Sequence, residues 1–137
     1  MVNPDEIVLF LIEDDDVDAE GVERAFIENK IANKIVRARD GVEAFKILDS
    51  GILQHYIILL DLNMPGMGGI EFLQKLRKND KYSKAVVFVL TTSNSDKDIL
   101  SSYKEHISGY FVKGEMGSDF FHIAKLFDGY WKIVKLP

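Results

Sequence analysis

Asp61 closes an apolar run, Ile57, Ile58, Leu59 and Leu60, and a loop rich in Pro65, Gly66, Gly68 and Gly69 follows it. A short apolar run bounded by turn residues reads as a fully buried strand of a parallel sheet. The acid then stands at the carboxyl end of a central strand, the edge where open α/β sheets bind ligands. This stretch alone leaves a second reading, in which Asp61 merely caps the turn. Three other apolar runs also end in residues that can do chemistry. Residues 7–12 (IVLFLI) lead into Glu13, Asp14, Asp15 and Asp16. Residues 85–90 (AVVFVL) lead into Thr91 and Thr92, and residues 109–112 (GYFV) lead into Lys113.

Carboxylates gathered at one edge repel. Two charges ~4 Å apart interact by roughly 4 kcal/mol at an effective dielectric near 20, so Glu13, Asp14 and Asp61 together call for a cation. The chain has no Cys and places no His near these acids. Oxygen-only ligands favour a hard ion, Mg²⁺ or Ca²⁺, and few carboxylates with retained water suit Mg²⁺ and a phosphate-bearing partner. Across from the acids, the Lys113 ammonium can hold Asp61 in place or take up phosphoryl charge. The Thr91 hydroxyl can donate to a phosphoryl oxygen. A carboxylate is itself a covalent phosphoryl acceptor, which makes the central Asp61 the natural nucleophile.

The acidic run has a plainer reading, as a solvated helix N-terminus favoured by the helix dipole, and Asp15, Asp16 and Asp18 are expected to be partly solvated. An EF-hand fails. Asp16, Asp18, Glu20 and Gly21 fit the start of the loop, but Ile27 stands where the bidentate Glu is required, and a strand precedes the loop instead of a helix. A phosphohydrolase of the haloacid-dehalogenase type would need an Asp first at the end of the first strand, where this chain has Glu13.

The elements that must position these residues alternate. After the first strand, Asp15 or Asp16 caps a helix over about 19–29, with Val22, Ala25 and Phe26 facing inward. Residues 35–38 form a second strand. Asp40 precedes a helix marked by Val42, Ala44, Phe45 and Leu48 that stops near Ser50 and Gly51. The third strand ends at Leu60, and a helix over 69–79 carries Ile70, Leu73 and Leu76. The fourth strand is 85–90, and Ser95 or Asp96 opens a helix with Ile99, Leu100 and Tyr103. The fifth strand is 109–112, and Ser118 caps a last helix to about Ile133. Five βα units with continuous apolar strands imply an α/β fold, a doubly wound, flavodoxin-like five-stranded parallel sheet covered on both faces, in strand order 2-1-3-4-5.

A chain of 137 residues suits one domain with a real core, 1–137. Net charge is −5 and no basic patch is visible, so nucleic-acid or anionic-membrane binding has no electrostatic support. The first apolar run is too short for a membrane span or signal core. Without Cys the chain fits a reducing compartment, and a cytoplasmic protein is expected. His55, His106 and His122 lack metal-ligand spacing and read as surface residues.

The pieces LIEDDDVDAE, LLDLNMPGMGG, VLTTS and GYFVK, in this order and along nearly the whole chain, resemble the receiver domain of two-component response regulators, the CheY-like fold. EDDDVDAE and YWKIVKLP look most like single-domain regulators that partner phytochrome-type and other sensor kinases. The resemblance implies that Asp61 is the phosphoacceptor. It implies that Asp14 binds Mg²⁺ directly and Glu13 through water, with the Asn63 backbone carbonyl completing the metal site. Thr91 and Lys113 would contact the phosphoryl group, and Tyr110 would be the switch aromatic coupled to Thr91. Tyr110 also reads as a plain strand residue with its hydroxyl in water. The donor would be a sensor histidine kinase or a histidine phosphotransfer protein.

The chain departs from the family at three points. Gly114 stands where Pro usually follows the Lys in a cis peptide. A non-proline cis bond costs about 3 kcal/mol, so Lys113–Gly114 is expected to be trans and the loop GEMGS more mobile. Gly68 stands where Asp is common. Thr92 replaces a small Ala, which narrows access to Asp61 and modulates phosphoryl lifetime. The last helix carries two apolar ridges, Phe120, Ala124, Phe127, Trp131, Val134 and Ile123, Leu126, Tyr130, Ile133. So wide a stripe suggests that Tyr130, Trp131 and the tail wrap the domain or meet a partner. A homodimer through the fourth helix, fifth strand and fifth helix is the expectation. No effector domain is expected beyond residue 137, so output is by contact with a downstream protein or onward transfer of the phosphoryl group. Two alternatives remain, a receiver-fold binding module that is no longer phosphorylated and a Mg²⁺-dependent phosphohydrolase.

Overall fold

The computed structural model describes residues 2–114 and 119–137, with Asp119 described by its backbone alone. The strands are β1 (Val8–Ile12), β2 (Ile35–Ala38), β3 (Tyr56–Leu60), β4 (Val87–Thr91) and β5 (Gly109–Val112). The helices are α1 (Asp16–Glu28), α2 (Gly41–Asp49), α3 (Gly69–Lys78), α4 (Asp96–Lys104) and α5 (Asp119–Ile133). The five strands form one sheet, all pairs parallel, in the order β2-β1-β3-β4-β5. This is the doubly wound architecture that the alternating elements predict.

Successive strand residues point to opposite faces, and here both faces are dry. Leu9, Leu11, Ile57, Leu59, Phe88 and Leu90 pack under α1 and α5, with Phe26, Phe127 and Trp131. Phe10, Ile12, Ile58, Leu60, Val87 and Val89 pack under α2 and α3, with Leu48, Phe72 and Leu76. That is why these strands read as unbroken apolar runs rather than as alternating ones. Register then sets the functional edge. Ile12 lies opposite Leu60, so Glu13 and Asp61 leave the sheet side by side. Thr91 pairs with Val112, and the Lys113 amide donates to the Thr91 carbonyl at 2.8 Å.

The first helix begins at Asp16, three residues before the expected start. Asp15 is its N-cap, accepting from the Val17 and Asp18 amides. The only large apolar residue in this acidic first turn is Val17, which is exposed and so falls off the inward-facing stripe that marks a helix. Asp40, expected just before the second helix, is its N-cap, and of the two residues expected to open the fourth helix Ser95 is the N-cap, whereas the expected Ser118 cap lies outside the described residues. On α4, Leu100 and Tyr103 stand in solvent and the buried residue is Ser102. Its hydroxyl donates to the Asp98 carbonyl at 2.8 Å.

The wide stripe of α5 divides. Trp131 is fully buried, edge-on to Phe26 and stacked on Phe127. Tyr130, Val134 and Leu136 pack against the same core, so the tail wraps the sheet. Leu126 and Ile133 face outward. His106 and His122 are exposed and His55 is half-buried.

Gly69 sits where β3 hands over to α3. A Cβ there would lie 2.5 Å from Leu62 Cα and 2.9 Å from the Asp61 carbonyl oxygen, both backbone atoms that cannot swing aside. Gly69→Ala is therefore expected to destabilise the protein by about 1–3 kcal/mol and to displace the loop after Asp61. A lowered urea unfolding midpoint checks this.

Candidate functional site

Four loops meet at the carboxyl edge of β1, β3, β4 and β5. Glu13 follows β1 and is 3% exposed, and Asp61 follows β3 and is 6% exposed. Asp14 is half-buried beside them. Arg37 of β2 fixes the Glu13 backbone, donating from Nε to its carbonyl at 2.9 Å. Arg37 and Arg39 both hold Asp16, at 2.7 and 3.1 Å, and with the Arg37 hydrogen bond foremost they keep the Asp16 carboxyl below the usual range.

Lys113 reaches in from β5, its side chain 10% exposed. Its Nζ lies 2.7 Å from Glu13 Oε1, 2.8 Å from Asp18 Oδ2 and 3.4 Å from Asp61 Oδ2. Burial works against the ammonium, but the hydrogen bonds to Asp18 and Glu13 more than offset it, and the Lys113 pKa lies above the ordinary lysine value. Glu13 is the deepest of these acids. Burial, and then a hydrogen bond shared with Asp61, push the Glu13 carboxyl up to about 8 against the pull of Lys113.

The other side of Asp61 is a hydroxyl and amide cluster. Asp61 Oδ1 accepts from the Asn63 amide at 3.1 Å. Asn63 Nδ2 donates to Thr91 Oγ1 at 3.2 Å and to Thr92 Oγ1 at 2.9 Å. Thr91 is fully buried and Thr92 exposed, so the Asn63 carboxamide and Thr92 stand at the mouth. Thr91 is an acceptor in its contact with Asn63, which keeps its hydroxyl hydrogen for another acceptor. The half-buried Tyr110 donates its hydroxyl to the Ser93 carbonyl at 2.9 Å, which ties it to the β4–α4 loop. Burial raises its pKa.

Each sequence-predicted residue therefore reaches this edge, with Tyr110 one step away on β5, joined to the β4–α4 loop through Ser93. Asp18 is the residue that the sequence reading missed. With the helix expected to begin at residue 19, Asp18 reads as a solvated flanking acid. The start at Asp16 turns it onto the side of α1 that faces Lys113. The Asn63 side chain was missed as well, because only its backbone carbonyl was assigned a role. The Lys113–Gly114 peptide is trans, and Gly114 has φ +87°, a left-handed backbone that glycine adopts readily. Residues 115–118 of the loop expected to be mobile lie outside the described residues.

Glu13, Asp14 and Asp61 each offer a carboxylate oxygen within 4.8 Å of one another. The donor set is oxygen only, and two of its three carboxyl groups, those of Glu13 and Asp61, are buried. Both features fit a hard divalent cation. The response regulator receiver domain family matches residues 9–125. The chain belongs to that family. A receiver domain with an acidic pocket of this kind binds Mg²⁺. Among relatives, the response regulator Rcp1 of Synechocystis is 31% identical over 98% of this chain and 95% of its own. The methanogenesis regulatory protein FilR2 of Methanothrix harundinacea, named as probable, is 30% identical over 93% and 84%. The phosphorylated cyanobacterial phytochrome response regulator RcpA superposes with a TM-score of 0.85 at 30% identity, covering 96% of this chain and 99% of that one. The Mn²⁺-bound form of Rcp1 superposes with a TM-score of 0.82 at 30% identity, covering 95% and 98%. Among the described residues of this receiver domain, no helix is long and apolar enough to cross a membrane.

The raised Glu13 carboxyl sets a pH dependence. Between about 4.5 and 8 the folded protein keeps a proton that the unfolded chain has lost, so this group makes stability fall as pH rises through that window. Lys113 titrates above the window in both states and adds no slope. In metal-free buffer, urea unfolding from pH 4.5 to 8 is expected to show a decline that Glu13→Gln flattens.

Proposed function

We propose that this chain is a phosphorylation-dependent signalling switch, a receiver domain over 1–137 that accepts a phosphoryl group on Asp61. The donor is the phosphohistidine of a sensor histidine kinase or a histidine phosphotransfer protein. The observation that carries the reading is the convergence on buried Asp61 of a buried ammonium, Lys113, and a buried hydroxyl, Thr91. The relation to RcpA favours a phytochrome-type sensor kinase as the donor class.

In this reading an Asp61 carboxylate oxygen attacks phosphorus in line, the P–N bond of the donor breaks, and the electron pair leaves on the imidazole. Lys113 and Thr91 donate to the phosphoryl oxygens, holding charge as it develops. Asp14, Asp61, Glu13 and the Asn63 backbone carbonyl would hold Mg²⁺, which would supply further charge stabilisation. Drawing Thr91 toward the phosphoryl group breaks its bond with Asn63. The β4–α4 loop, which Tyr110 grips through Ser93, then has a reason to rearrange. Asn63 and Thr92 at the mouth modulate the approach of water to the acyl phosphate. Output is through contact with a downstream protein in the cytoplasm.

Incubation with acetyl phosphate or phosphoramidate and Mg²⁺, read by intact mass, is expected to give one phosphoryl adduct. Asp61→Asn and chelation should both abolish it. No adduct from any donor overturns the reading in favour of a binding module, and sustained turnover of a phosphomonoester points to a hydrolase.

The reading includes a homodimer through α4, β5 and α5, for which the exposed Leu100, Tyr103 and Leu126 offer apolar surface. Light scattering with and without beryllofluoride is expected to show a dimer, and a monomer in both states overturns this part.

A further inference from the structure

Lys113 is fully committed in this structure. An ammonium has three N–H donors, and Glu13, Asp18 and Asp61 take them at 2.7, 2.8 and 3.4 Å. The short contacts run toward Glu13 and α1, and the contact with Asp61 is the long one. A phosphoryl group on Asp61 brings new oxygens that need that ammonium, so one existing partner has to yield. Glu13 is 3% exposed, so water can hardly take the place of the ammonium at its carboxyl group. Asp18 is 27% exposed, and water can take the place of the ammonium at its carboxylate for little net change.

We propose that Asp18 is a latch that holds the Lys113 ammonium on the α1 side of the site and releases it when Asp61 carries a phosphoryl group. The inference rests on the phosphoacceptor reading of Asp61 and deepens it. Asp18 touches no reacting atom, so it is a positioning residue acting through Lys113. The latch also ties two elements together, since Asp18 lies in the first turn of α1 and Lys113 follows β5. Phosphorylation therefore loosens the α1 N-terminus from the β5 end, a second structural signal beside the one that passes through Thr91. The left-handed Gly114 gives the chain just after Lys113 a backbone that most residues resist.

The test compares adduct formation from acetyl phosphate at saturating Mg²⁺, followed by intact mass, in the parent protein, Asp18→Asn, Asp18→Glu, Lys113→Ala and the double variant Asp18→Asn/Lys113→Ala. Asp18→Asn is expected to accelerate adduct formation roughly fivefold, the kinetic equivalent of losing a partly exposed ion pair. Asp18→Glu keeps the anion and stays near the parent rate. In the Lys113→Ala background, Asp18→Asn has no effect. The same gain in that background would mean that Asp18 only repels the anionic donor, which overturns the latch, as does an unchanged rate in Asp18→Asn. Absence of any adduct in the parent protein removes the phosphoacceptor reading and the latch with it. Urea unfolding in chelator gives a readout independent of chemistry. The midpoint shifts of Asp18→Asn and Lys113→Ala are expected to be non-additive, and additive shifts overturn the contact.

Discussion

Among the described residues, several carboxyl groups and a single ammonium are confined to one edge of the sheet, and the charges do not balance. Glu13 and Asp61 are nearly inaccessible, Asp14 and Asp18 stand beside them, and among the described residues Lys113 alone reaches in with positive charge. Such an arrangement is stable only while the fold holds it, because each carboxylate would be better solvated apart from the others. The surrounding structure serves that confinement. The Asp61 amide donates to the Ile12 carbonyl, Arg37 pins the carbonyl of Glu13, and a glycine at position 69 lets the chain turn tightly under Leu62. The shortage of positive charge is also the source of function. It favours a divalent cation, and it keeps the Lys113 ammonium poised between acids, ready to move to whichever oxygen carries the most charge.

The two cores separate stability from signalling. The strands are buried on both faces, so the site rests on a platform that cannot shift without opening the interior. The parts that can move are the loops at the edge and α4. That helix buries Ser102 and leaves Leu100 and Tyr103 in solvent, so little apolar contact holds it in place. One end of α4 is held by a clamp remote from the site. Arg77 of α3 donates to the carbonyls of Glu105 and His106 at the C-terminus of α4, and to those of Ser83 and Ala85 before β4. The other end abuts the loop that Tyr110 holds through Ser93. A helix anchored at one end and adjustable at the other suits a loop rearrangement that begins at Thr91.

Much was legible in the order of residue types. Unbroken apolar runs identified the buried strands because burial on both faces removes alternation. Each run ended in an acid, a hydroxyl or an amine because the carboxyl edge of a parallel sheet is where side chains leave the core. The aromatic excess of α5 was legible as a wide stripe, but its division was not. Trp131 went inward onto Phe26 and Phe127 while Leu126 and Ile133 stayed out. Both sets are apolar, and only the position of α1 against α5 decides which has a partner.

By itself the sequence determined the parallel α/β sheet, and with the strand order common to such sheets it brought Glu13, Asp14, Asp61, Thr91 and Lys113 to one edge, an order the structure has. Periodicity and chain connectivity are local properties that leave few alternatives. Only the tertiary structure decided how the donors are shared. That Lys113 binds Asp18 more closely than Asp61, that the Asn63 carboxamide bridges two threonines, and that Tyr110 grips the Ser93 carbonyl depend on distances between residues far apart in the chain. Residue type says what a side chain can donate or accept. Which partner it takes is settled by a few ångströms of packing, and no spacing in the sequence carries that information.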